Sequence, residues 1–317
     1  MNIENKTRGM IEAAMIVTLT SVFAVMGTYI PLLTFILLLI PVPFIILAKR
    51  RGLSFTLLGL VVASLIISMV TGPVSAFFTM LTPGVMAIVI GYMLSKNYSP
   101  GKILIGGSIG AIVSTTILIQ ITTSIMGVTI TDMMTDMMKQ SVDMQLSIYK
   151  NLKYDETQIQ QISSQWEQIS KMGMMMIPSM IIIMSTLFSY INYLVASKIL
   201  KRVSKEEVSE LPPLRYVTLP KNIVMGSFLI LALTYISGYF NVVNYNTLVL
   251  NVLIIFQVVF SIQGLAIVSF FMHKFKLRKP VRIIIYIFVV FSGSFTVILS
   301  TLGFVDAIMN IRRLERS

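Results

Sequence analysis

Very few residues in this chain have side chains suited to covalent or metal chemistry. There is no Cys, and the single His, His273, sits beside Lys274, Lys276 and Arg278. Disulfides, thiolate nucleophiles, Cys-ligated metals and two-His metal motifs are therefore excluded, and His273 reads as a solvated residue of a basic boundary turn. No G-x-x-x-x-G-K-[ST] loop occurs; Ser99-Pro100-Gly101-Lys102 lacks the upstream glycine and the hydroxyl. Gly106-Gly107-Ser108-Ile109-Gly110 has the letters of a nucleophile elbow. It lies inside a long apolar run rather than on a strand-to-helix turn, so that reading fails. On an apolar helix, Gly106 and Gly110 form a notch for close helix packing instead. No acid, base and metal set can be assembled. The expectation is a protein that is not an enzyme, with no catalytic residue, metal or cofactor.

The remaining polar candidates are uncharged. They are Gln120, Thr122 and Thr123, then Tyr190, Asn192 and Tyr193, then Asn251, Gln257 and Gln263. A buried amide in lipid needs partners, so each is expected to face another helix. Gln120 and Thr123, together with Trp166, are the candidate ligand contacts. Charges within the apolar runs are nearly absent, as the cost of about 2.5–3.5 kcal/mol for one at the bilayer centre requires. Glu12 lies near the start of the first run and Asp306 at the end of the last. This pattern argues against a proton-driven transporter.

These candidates must be positioned by elements that are mostly oily. Hydrophobic residues make up 56% of the 317 residues, charged residues 12%, and the mean hydropathy is +0.85. A soluble fold could not hide that much apolar surface. Nine runs follow one another: Ile11 to Ile30, Leu32 to Ala48, Leu53 to Val70, Val74 to Ser95, Ile103 to Met126, Met174 to Ile199, Ile223 to Phe240, Leu248 to Met272, and Ile283 to about Asp306. In lipid the backbone must satisfy its own hydrogen bonds, so runs of this length read as helices. The expected fold is all-α, a polytopic transmembrane bundle of nine spans. Eight is the alternative if the last run is re-entrant or one run lies in the interface. The first run has no small-x-small cleavage site after it and reads as a retained helix.

Charge fixes the expected orientation. With the N-terminus in the cytoplasm, inside loops hold 18 of the 25 Lys and Arg residues. The net charge of +12 then reflects topology and contact with anionic lipid rather than nucleic acid. In the nine-span reading, Arg312 and Arg313 fall outside. A polar insertion, Gly127 to Gly173, is external. Asp155 and Gln158 form a capping pair, Tyr154 is placed to staple onto Ile159, and Ile159, Ile162, Trp166, Ile169 and Met172 make one apolar stripe. Met133, Met134, Met137 and Met138 suggest a less regular helix before it. The insertion is expected to lie on the outer membrane surface or over the bundle mouth.

The segments Thr7-Arg8-Gly9-Met10-Ile11-Glu12-Ala13-Ala14, Tyr29-Ile30-Pro31, Ile40-Pro41-Val42-Pro43 and Lys49-Arg50-Arg51-Gly52 resemble the YybS-like family of bacterial membrane proteins. The ending Leu302-Gly303-Phe304-Val305-Asp306-Ala307, with Arg312-Arg313, resembles it too, so the likeness runs along essentially the whole chain. That family's first six helices are in turn similar to the substrate-binding S components of energy-coupling-factor transporters. The resemblance implies a six-helix core over residues 1–202, including the insertion 127–173, with a small-molecule pocket opening outward. It also implies a partner transmembrane coupling subunit, two cytoplasmic ATPases and a bacterial cytoplasmic membrane. In S components the first helix often carries A-x-x-x-A against the coupling subunit. Here Ala14 matches the first alanine and Thr18 replaces the second. Residues 203–317, a cytoplasmic linker and three more helices, are outside the S-component plan. The expected function is a solute-binding transport subunit without its own ATPase; the alternative is a non-transporting scaffold or regulator on a transporter-like fold.

Overall fold

A computed structural model describes residues 3–151, 155–204, 208, 210–240 and 244–314. Tyr154, expected to staple α7, and Lys153, Lys205 and Arg316, counted above for orientation, lie outside the described residues. In chain order the α-helices are α1 (Ile3–Tyr29), α2 (Pro41–Arg51), α3 (Leu53–Thr71), α4 (Pro73–Ser95), α5 (Pro100–Met126), α6 (Ile130–Asn151), α7 (Glu156–Met175), α8 (Ile177–Ile199), α9 (Lys221–Ser237), α10 (Tyr245–Lys274), α11 (Lys279–Phe291) and α12 (Gly293–Met309). A nine-residue 3-10 helix, Pro31–Leu39, precedes α2. No strand occurs among the described residues.

The chain divides into two compact units. The first comprises Met1–Gln140 and Met184–Leu211, and the second Ser141–Ile183 and Pro212–Ser317. Residues 127–140 of the insertion fall in the first unit and 141–173 in the second.

In the first unit, glycines punctuate the runs. Gly52 and Gly72 have φ of +91° and +86°, a region open to glycine at no steric cost. Each ends one helix and starts the next, turning the chain between α2, α3 and α4 without a loop. The core is built from Val17 and Ala24 of α1, Phe44 and Ile45 of α2, Ala63 and Ile67 of α3, Met86 and Ile90 of α4, Ala111 of α5, and Tyr193 and Ala196 of α8. A side-chain carbon at Gly106 or Gly110 would run into Met93 or Val89 of α4, so α4 and α5 approach closely at that notch. Ser189 Oγ donates to the Leu104 carbonyl at 3.3 Å, joining α8 to α5.

In the second unit, α10 and α12 cross backbone to backbone. A methyl group at Gly264 would overlap the Leu299 carbonyl, and one at Gly303 would overlap the carbonyl of Phe260. Phe256, Phe260 and Phe304 pack around this crossing with centroid separations of 4.3–6.1 Å. The ninth apolar run is not one rod. It breaks at Ser292, whose backbone is extended (φ −85°, ψ 98°), and the two halves are bent by 104°. The run α9 has 17 residues. Among the described residues, seven helical segments are long and apolar enough to cross a membrane, or eight if the bent pair counts as one. The expected count of nine treated α9 and the broken final run as full spans.

The described part of the insertion consists mainly of two helices, α6 and most of α7. Met133 to Met138 open a regular helix of 22 residues, α6, not a less regular one. At the start of α7 the Asp155 amide donates to Gln158 Oε1 at 3.3 Å, the capping interaction read from the sequence.

The α10–α12 crossing gives a direct test. Gly303→Ala is expected to lower the thermal midpoint of the detergent-solubilised protein, with a loss of about 1–3 kcal/mol from overpacking. Gly226→Ala in α9, where nothing lies within 4 Å of the added carbon, is expected to be neutral or slightly stabilising. Equal midpoints for the two variants would contradict the close crossing.

Candidate functional site

Within the first unit, the 3-10 helix and the α3–α4 turn enclose a wide-mouthed cavity of about 850 Å³. Leu37 and Leu38 line one side. Thr71, Gly72, Pro73, Val74, Ser75, Phe78, Thr79 and Pro83 line the rest. Ser75, Thr79 and Pro83 recur every four residues and so share a face of α4. Thr79 Oγ1 donates to the Ser75 carbonyl at 2.8 Å. Pro83 has no N–H to return to the Thr79 carbonyl, which leaves that acceptor without its helical partner. The lining is apolar with hydroxyl and carbonyl groups and no charge. Its chemistry suits a neutral or weakly polar molecule with a hydrogen-bonding end.

The opposite end of α3 is ionic. Glu12 of α1 pairs with Arg50 and with Arg51 Nε at 2.6 Å. The carboxylate is only 15% exposed, and two guanidinium partners offset the cost of burying it. Lys49 Nζ donates to the Leu94 carbonyl and to Asn97 Oδ1 at 3.0 and 2.9 Å, gathering the same end of α4. The cavity and the basic cluster are thus separated by the 19 residues of α3, about 28 Å of helix.

The residues singled out in the sequence fall as follows. Ala14 and Thr18 lie on an exposed face of α1, with Thr18 Oγ1 bonded back to the Ala14 carbonyl at 2.9 Å. Ser21, one turn further along α1, is buried. Gln120 is exposed and Thr123 half-buried on α5; neither is among the residues lining the cavity. Trp166 is half-buried on α7 in the second unit. The cavity residues from Thr71 to Thr79 carry no charge and no motif that would single them out in the sequence.

The buried amides bond to backbone. Pro41 lacks the N–H that would return to Leu38 in a 3-10 pattern, and Asn192 Nδ2 supplies a donor to that carbonyl at 2.9 Å. Asn251 inserts into the α7–α8 junction at Pro178: its Oδ1 accepts from the Ser179 amide at 2.7 Å, and its Nδ2 donates to the Met175 carbonyl at 2.6 Å. That side chain replaces the helical bond these two groups would otherwise make to each other. Gln263 Oε1 accepts from the Leu219 amide at 3.1 Å, and its Nε2 donates to Asp306 Oδ2 at 2.7 Å.

Asp306 and Arg312 complete this group. Their side chains are 1% and 0% exposed and meet at 3.0 Å. The Arg312 guanidinium also donates to the carbonyls of Arg215 and Val217 at 2.9 and 2.8 Å. The tail after α12 is thereby bonded to the segment before α9. Arg312, expected outside in the nine-span reading, is a buried residue bonded to Asp306 and to two backbone carbonyls. His273 is likewise not simply solvated. It is half-buried, with Nδ1 against the Ser269 carbonyl at 2.8 Å and Nε2 facing Arg282. Because the guanidinium can only donate, Nε2 accepts, and the ring carries its proton on Nδ1. Outside the spans, the Thr129 hydroxyl and amide hold the Asp132 carboxyl below its ordinary range.

Several long apolar helices with their few charges paired define an integral membrane protein. A family model described as "Predicted membrane protein (DUF2232)" matches residues 18–307, and the chain belongs to that family. It is 25% identical over 309 residues to "Uncharacterized protein YybS" of Bacillus subtilis (strain 168), covering 97% of this chain and 98% of that one. No solved structure matches.

The Asp306–Arg312 pair is testable by a thermodynamic cycle. Arg312→Met, which strands a buried carboxylate, is expected to cost about 3–5 kcal/mol in thermal unfolding of the solubilised protein. Asp306→Asn combined with Arg312→Met is expected to recover part of that loss. A double variant less stable than Arg312→Met alone would contradict the pairing.

Proposed function

We propose that this protein is a solute-binding subunit of S-component type in a bacterial cytoplasmic membrane, its energy supplied by a partner coupling subunit and cytoplasmic ATPases. The observation that carries the reading is the polarity of the first unit: a neutral cavity at one end of α3 and a paired basic cluster at the other. Basic residues collect on the cytoplasmic side, so in this orientation the cavity opens outward, where a solute arrives. Gln120 and Thr123 then also lie towards the outer end, on α5. The exposed Ala14–Thr18 face of α1 is the docking surface for the coupling subunit, because small residues let a second helix approach closely. The solute is small and weakly charged, since the lining offers hydroxyls and carbonyls but no counter-ion. The alternative reading, a scaffold or regulator, draws on the second unit, which has a core of its own around Phe260 and Ala307.

The topology that goes with this reading has eight crossings and both ends in the cytoplasm. α9 spans at the short limit, and α11 with α12 enters and leaves on one side. Arg312, Arg313 and Arg316 then join the inner basic residues, raising their number to 21 of 25 and removing the chief exception to the charge rule. A C-terminal tag digested from outside intact cells would overturn the eight-crossing reading.

Native mass spectrometry of the protein purified in mild detergent tests the binding role. A small-molecule adduct is expected on the wild type and at less than a tenth of that occupancy on a Ser75→Leu/Thr79→Leu variant, whose added side chains fill the cavity. An adduct retained unchanged by the variant would contradict this cavity as the binding site. Affinity capture is expected to recover ATPase subunits with the wild type and fewer with Ala14→Leu/Thr18→Leu. Capture without any ATPase would favour the scaffold.

A further inference from the structure

Helix α6 is not among the segments apolar enough to cross a membrane, yet five of its 22 residues are methionine. Met133, Met134, Met137 and Met138 fall within six consecutive positions. On a regular helix, Met133 with Met137 and Met134 with Met138 are four residues apart, and Met134 with Met137 three apart. Such pairs have Cβ atoms about 5–6 Å from each other. Each side chain has three rotatable bonds, so the thioethers can converge on one point. Packing does not explain this enrichment: Met137 is 64% exposed and Met133 38% exposed, while Met134 and Met138 are half-buried.

The surroundings favour a cation. Asp132 precedes the quartet, Asp136 lies within it and Asp143 follows on the same helix, against Lys139 and Lys150, so α6 is net acidic in a chain whose net charge is +12. α6 contains no Cys and no His, so thioethers are its soft donors. Thioethers are neutral and polarizable; they select soft monovalent ions over borderline or hard divalent ones. We propose that Met133, Met134, Met137 and Met138 form a binding site for a soft monovalent metal ion, Cu(I), with Ag(I) as its redox-inert counterpart. Three sulfurs drawn from the four complete the coordination, and the two aspartates raise the local cation concentration. The site does not rest on the solute-binding reading.

The test uses the full chain in detergent. Ag(I) is titrated by calorimetry, and Cu(I) is measured by competition with a colorimetric Cu(I) chelator, with Zn(II) as the comparison ion. Wild type is expected to bind Ag(I) and Cu(I) at least 100-fold more tightly than Zn(II). The near-isosteric variant Met133→Leu/Met134→Leu/Met137→Leu/Met138→Leu keeps the volume and helicity of α6 and is expected to lose at least 100-fold in Ag(I) affinity, with unchanged circular dichroism. Met134→Leu/Met137→Leu, which leaves two thioethers, is expected to lose about 10-fold, which keeps the test open should the quadruple variant misfold. Met172→Leu/Met174→Leu/Met175→Leu/Met176→Leu, the other methionine-rich stretch, is expected to retain wild-type affinity. Equal Ag(I) affinity in the wild type and the α6 variants would overturn the proposal and leave these side chains a role in surface contact. So would Zn(II) binding as tight as Ag(I).

Discussion

A peptide group inside hydrocarbon has no water to bond, and most of the buried polar chemistry of this protein answers that one constraint. At several places where the backbone leaves the α-helical pattern, a side chain stands in for the missing partner. Asn192 caps the Leu38 carbonyl that Pro41 leaves unpaired. Asn251 bridges Met175 and Ser179 across the Pro178 break. Gln263 takes the Leu219 amide, and Arg312 takes the carbonyls of Arg215 and Val217. Leaving any of these groups unpaired would cost several kcal/mol in order of magnitude. These side chains are therefore committed to structure. The hydroxyls and carbonyls lining the cavity between the 3-10 helix and the α3–α4 turn are not among them.

The same constraint gives the C-terminal region its arrangement. Asp306 is the carboxylate of α12 that lies among oily neighbours, and it is tolerated because Arg312 and Gln263 both bond to it. Arg312 in turn reaches the segment before α9 only if the chain folds back after α12. The break at Ser292 and the 104° bend permit that return. Charge pairing, helix breaking and topology are thus one argument in the second unit. In the first unit, Glu12 between Arg50 and Arg51 plays the corresponding part at the basic end.

Much of this was legible in the sequence. Apolar runs bounded by Gly52, Gly72 and Pro100 gave the helices of the first unit, because length and hydropathy decide spanning helices almost alone. Gln158, three residues after Asp155, announced the start of α7. The break in the last run was not legible: Ser292-Gly293 is a weak signal inside an apolar stretch, and only the partners of Arg312 disclose why the chain bends. The number of spans is least legible there and at α9, whose 17 residues sit at the lower edge of what crosses a bilayer. The cavity was also hidden, since its walls come from a 3-10 helix and a helix–helix turn some 35 residues apart in sequence, and its residue types carry no charge to draw notice. The amides need partners in lipid, but sequence alone does not name them: backbone groups at the Pro41 and Pro178 breaks for Asn192 and Asn251, and the Leu219 amide with Asp306 for Gln263.

The account turns on whether the tail after α12 shares a membrane face with the segment before α9, and on that face being cytoplasmic. The absence of native Cys allows this to be measured by single-cysteine labelling of intact cells with a membrane-impermeant maleimide. Gln168→Cys, exposed on α7, should label without permeabilisation. Arg313→Cys, exposed beside the buried Arg312, should label only once the membrane is opened. Labelling of Arg313→Cys in intact cells as fast as Gln168→Cys would contradict the account.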